Sequence, residues 1–113
     1  MATEQHDIAD GTLVVRTEKN DGTHTIALCG ELDLANASTA EAALEESLDG
    51  GTLVVVDMRE LEFIDSTGIA LLVAALGRGG DETKVRFIPS TAPAVTRVLE
   101  LTGLAERLPL ADA

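Results

Sequence analysis

A chain of 113 residues with 20 acidic and 8 basic side chains carries a formal charge of −12. That field repels nucleic-acid phosphates and anionic lipid headgroups and favours a basic protein surface as partner. Its 45% apolar content supports one folded domain, but with only Phe63 and Phe87 as aromatics the core is aliphatic and base stacking has no platform.

Residues 1–10 carry Glu4, Asp7 and Asp10 and no apolar run, so they read as a flexible tail and neither a secretory signal nor a transit peptide. The segments Thr12 to Glu18 and Thr23 to Gly30 are β-branched and aliphatic, and Asn20-Asp21-Gly22 supplies the turn of an antiparallel hairpin between them. Asp33 is placed to cap a helix running to about Ser47, with Leu34, Ala37, Ala40, Ala43, Leu44 and Leu48 on its buried side. Gly50-Gly51 ends that helix. Thr52 to Asp57 follows as a continuous apolar run, the pattern of a strand covered on both faces.

A polar connection through Arg59, Glu60 and Glu62 leads to Asp65-Ser66-Thr67-Gly68, after which Ile69, Leu72, Val73 and Leu76 recur at helical spacing until Gly77, Gly79 and Gly80. Lys84 to Ile88 is a further strand. Thr91 and Pro93 open a last helix, with Val95, Val98, Leu99 and Thr102 buried and Gly103 as its cap. Leu104 to Leu110 packs as a short terminal segment or edge strand, and residues 111–113 are expected to be disordered. The order predicts an α/β fold: one domain over residues 11–110, a mixed four- to five-stranded sheet that starts with an antiparallel hairpin, and three or more helices.

The tetrapeptide between an apolar strand and an apolar helix puts a hydroxyl where backbone N–H groups point outward, so an added phosphate is tolerated there. Ser66 reads either as a helix cap or as a phosphorylation switch, with Asp65 the alternative cap and Thr67 the alternative hydroxyl. Asp33 is a cap of its own helix or an edge of a partner surface near Ser66. Glu31, Glu60 and Glu62 are solvated charges that a basic partner would meet.

Three blocks, Gly30-Glu31-Leu32-Asp33, Phe63-Ile64-Asp65-Ser66-Thr67-Gly68-Ile69 and Val95-Thr96-Arg97-Val98-Leu99-Glu100-Leu101-Thr102-Gly103-Leu104, together make the chain resemble the STAS domains, and among them the single-domain bacterial anti-sigma factor antagonists. The resemblance spans about Leu13 to Leu110. It implies that Ser66 is phosphorylated by an anti-sigma factor that is also an ATP-dependent serine kinase, and that a metal-dependent serine phosphatase reverses the modification. It implies further that the unmodified form binds the anti-sigma factor and frees a sigma factor for transcription, with Asp33, Asp65, Ser66, Thr67 and Gly68 at the contact. Ala70 stands where many relatives have Gly.

Other chemistry finds little support. Thr67 occupies the position where an aspartic protease motif requires Gly. Ser66 has no His base at triad spacing and no Gly-X-Ser-X-Gly elbow, and no Gly-rich loop with Lys is present to cradle a nucleotide. His24 and His6 supply no metal-ligand set, so neither metal nor cofactor is expected, and Cys29 is expected in the core. As the only cysteine, it excludes an internal disulfide and fits a reducing compartment. The longest apolar run, Ile69 to Leu76, is far below the ~20 residues of a membrane span. A cytoplasmic protein, monomeric when free, that serves as a kinase substrate and not a catalyst is the reading these features favour. The competing reading is a STAS-type adaptor subunit, for example on a transporter, with a structural serine.

Overall fold

The computed structural model describes residues 4–50, 52–79 and 83–111. Strands β1 (Glu4–Asp10), β2 (Leu13–Asn20) and β3 (Thr23–Leu32) run antiparallel in series. They are followed by helix α1 (Ala37–Gly50), β4 (Leu53–Asp57), β5 (Leu61–Ile64), helix α2 (Ser66–Arg78), β6 (Lys84–Ile88) and helix α3 (Pro93–Leu101). A 3-10 turn at Leu104–Glu106 comes last. The six-stranded sheet has the order β1-β2-β3-β4-β6, and β5 pairs with the far end of β3. The β3–β4, β4–β6 and β3–β5 pairings are parallel, as crossover connections dictate.

Strand alternation sends Leu13, Val15, Ile26, Leu28, Val54, Val56, Val85 and Phe87 to one face, where α1 and α2 cover them with Ala40, Leu44, Leu72 and Ala75. Small residues on α1 allow the close approach. α3 packs on β5 through Val95 and Leu99. Strand register puts Asp7, Arg16, Ala27, Asp57 and Ile88 in one row across the other face. An open depression of about 660 Å³ lies there. Its lining does not include Asp33, Asp65 or Ser66.

Several expectations need correction. Glu4–Asp10 is not a tail: it forms β1, paired along its whole length with β2. None of its side chains is buried, so it lacks the alternation that marks a half-buried strand, and backbone hydrogen bonds hold it. The connection after Arg59 contains β5, whose Leu61 and Ile64 are buried while Glu62 and Phe63 between them are exposed. These two strands raise the count to six. α1 begins at Ala37, because the carbonyl of Asn36 accepts the first helical bonds from Thr39 and Ala40 while Asp33 closes a separate turn before it. Leu34, expected on the buried side, is 77% exposed for that reason.

Val73 and Thr102 also face solvent. Cys29 lies outside the core, on the open sheet face, with its Sγ 3.8 Å from a Glu60 carboxylate oxygen; burial and then the Glu60 charge push its thiol pKa up. Ala111 is tied down, its N–H donating to the Phe87 carbonyl while the Phe87 N–H donates to Pro109. The expectations for residues 1–3, Gly51, Gly80 and residues 112–113 lie outside the described residues.

Candidate functional site

The site is assembled where β5 ends and α2 begins. Asp65 has an extended backbone and its Oδ1 accepts from the N–H groups of Thr67 at 2.9 Å and Gly68 at 3.1 Å, so it is the N-cap of α2. Ser66 is therefore the first helical residue, and its side chain is exposed. Thr67 is half-buried beside it.

Gly68 is buried and makes room for the helix entry: a Cβ there would lie 2.5 Å from Ile64 Cγ1 and 2.9 Å from Leu32 Cγ. It shapes the site from below and presents no side chain to a partner.

The second oxygen of Asp65 reaches across to another segment. Oδ2 accepts from the Leu34 N–H at 3.1 Å, and the Asp65 N–H donates to the Leu32 carbonyl at 3.2 Å. These bonds bring the turn after β3, which holds Asp33, against the start of α2, where Asp65, Ser66 and Thr67 follow one another. Asp33 holds that turn locally, its Oδ1 accepting from Ala35 N–H at 3.0 Å.

Asn36 is a residue that sequence reasoning passed over. It is 2% exposed, and its amide is satisfied on both sides: Oδ1 accepts from Asp33 N–H at 3.0 Å and Nδ2 donates to the Glu31 carbonyl at 2.9 Å. A buried polar side chain without such partners would be costly. The available signal was the Asp33…Asn36 spacing, since both residue types bind nearby backbone in turns. Leu34 was also missed, and it stands between these anchors.

Asp33 and Asp65 are half-buried, and Glu31 and Glu62, on the strands that lead to the site, are exposed. Among the described residues no group of three His, Cys, Asp or Glu side chains could hold a metal ion. No helix of the described residues is long and apolar enough to cross a membrane. His24 is buried in β3 with Nδ1 lacking a hydrogen-bond partner among the described residues.

A family model described as "Mlab, STAS domain" matches residues 15–111. The chain is 28% identical over 97 residues to the anti-sigma-F factor antagonist RsfB of Mycobacterium tuberculosis, covering 85% of this chain and 79% of the relative. A crystal structure of an anti-sigma factor antagonist from Mycobacterium paratuberculosis superposes with a TM-score of 0.80 at 29% identity, covering 93% of this chain and 90% of the other. The unphosphorylated form of the anti-sigma factor antagonist SpoIIAA shares the fold at a TM-score of 0.68 and 22% identity, over 87% of this chain and 88% of that one.

Proposed function

The chain belongs to the STAS-domain family, and from that premise we propose that it is an anti-sigma factor antagonist switched by phosphorylation of Ser66. In the unmodified state it binds an anti-sigma factor that is also a serine kinase and so releases a sigma factor. Transfer of phosphate from ATP to Ser66 ends the complex, and a metal-dependent serine phosphatase restores it. The protein acts in the cytoplasm, monomeric when free, and is itself neither an enzyme nor a nucleic-acid binder.

The observation that carries this reading is the division of labour between two neighbours. Asp65 caps α2, which leaves the Ser66 hydroxyl exposed at the first helical position and free of a capping duty. A phosphoryl group would add about −1.5 to −2 charges there. The helix terminus favours an anion by only ~0.3–1 kcal/mol, and Asp65 already occupies the amides of Thr67 and Gly68. Enclosed in a complex, the dianion meets desolvation and the like charge of the Asp65 carboxylate beside it, together worth several kcal/mol. The fold therefore tolerates the phosphate and the complex does not.

The test is incubation with ATP and purified serine kinases of the source cell, followed by phosphosite mapping, with Ser66→Ala as control. Phosphate on Ser66 and constitutive binding of the kinase by Ser66→Ala are expected, together with weak binding by Ser66→Asp. Equal affinities for the two variants would overturn the electrostatic switch. A protein that stays unmodified and copurifies with a membrane complex would be an adaptor with a structural serine.

A further inference from the structure

We infer that Leu34 is the apolar anchor with which the unmodified protein grips its anti-sigma factor, and that Asn36 is a positioning residue for it; the inference rests on the function proposed above. Leu34 is a large aliphatic side chain left 77% exposed on a segment with little freedom. Its own N–H is held by Asp65 Oδ2. The residue before it is held by Asn36 Oδ1, the residue after it by Asp33 Oδ1, and Asn36 is itself fixed to the Glu31 carbonyl.

A lone exposed leucine on a mobile loop would carry no message. Here four hydrogen bonds set the backbone of its turn in advance, which removes the backbone part of the ordering cost that binding would otherwise meet.

Leu34 and Ser66 also share a neighbour. The carboxylate that holds the Leu34 amide belongs to Asp65, the residue directly before Ser66, which brings the leucine's backbone to the same helix entry as the serine. The carboxylates tied to this turn are those of Asp33 and Asp65. The complementary surface on the partner is an apolar pocket rimmed by lysine or arginine, which gains from the leucine by desolvation and from the acids by charge.

The experiment is calorimetric titration of the purified kinase that phosphorylates Ser66 into five unmodified proteins: wild type, Leu34→Ala, Asn36→Asp, the double variant and Ser66→Asp, each also melted thermally. Leu34→Ala should bind roughly thirtyfold more weakly, the size of an interface anchor, with an unchanged melting temperature because the side chain is exposed. Asn36→Asp, or Asn36→Ser should the buried charge prevent folding, should weaken binding several-fold when Leu34 is present and not at all when it is alanine. Binding by Leu34→Ala within twofold of wild type, with binding abolished in Ser66→Asp, would overturn the anchor and leave the switch standing. Equal binding by Ser66→Asp and wild type would remove the switch itself. An Asn36 effect of the same size in both backgrounds would overturn its positioning role.

Discussion

Asp65 carries more of this site than the serine beside it, because one carboxylate caps α2 and fastens the Leu34 turn. Gly68 is bound as tightly by packing. Replacing it with alanine would recover up to about 1 kcal/mol of helix propensity, but the new methyl would meet Ile64 and Leu32 well inside contact distance. Overpacking of that kind costs about 1–3 kcal/mol, so Gly68→Ala should lower the urea midpoint of unfolding, and an unchanged or raised midpoint would show that the helix entry has slack. The Asp-Ser-Thr-Gly block was legible in sequence because its capping and turn chemistry are local. Asn36 was passed over although its partners, backbone atoms of Glu31 and Asp33, are close in sequence, because a helix cap at Asp33 accounts for the same stretch.

At the scale of elements, helices α2 and α3 and strands β2, β3, β4 and β6 could be read from apolar periodicity and from Gly and Pro at their ends. β1 and β5 could not. A strand with no buried side chain carries no alternation, and β5 has only four residues. The start of α1 was misplaced because Asp33 is as suitable for a turn as for a cap, and its Oδ1 accepts from Ala35 before the helix begins. The end of β4 has an electrostatic consequence. Burial pushes the Asp57 carboxyl up, but hydrogen bonds from the Arg59 guanidinium and amide, and its charge, outweigh this and hold the pKa below its ordinary 3.8. A carboxylate that folding makes more acidic stabilises the native state fully above that ordinary value, and the contribution is lost as pH falls below it. Urea unfolding at pH 6 and pH 3 should therefore show a smaller acid loss for Asp57→Asn than for wild type, and equal losses would mean that the Arg59 pair contributes nothing.

For the whole molecule, the −12 charge sets how partners arrive. Association with a basic surface is steered by a field that salt screens over about 8 Å at physiological ionic strength. The on-rate for the anti-sigma factor should fall as sodium chloride rises from 50 to 300 mM, read by stopped-flow fluorescence, while the off-rate changes little. A rate indifferent to salt would leave the acidic surface without a part in recognition. That the fold class and four of the six strands could be inferred together reflects how much of this domain is specified by short-range signals. The contact between the β3 turn and α2 depends on tertiary geometry and became visible only in the fold.

The two borders of the sheet are protected by different means. Along β6, residues Pro109 to Ala111 lie against Phe87 and accept and donate its main-chain bonds. Along β1, Glu4, Asp7 and Asp10 place like charges where a second copy would have to zip on. One margin is latched at Phe87 and the other is repellent, so edge-to-edge joining of two copies is disfavoured along both.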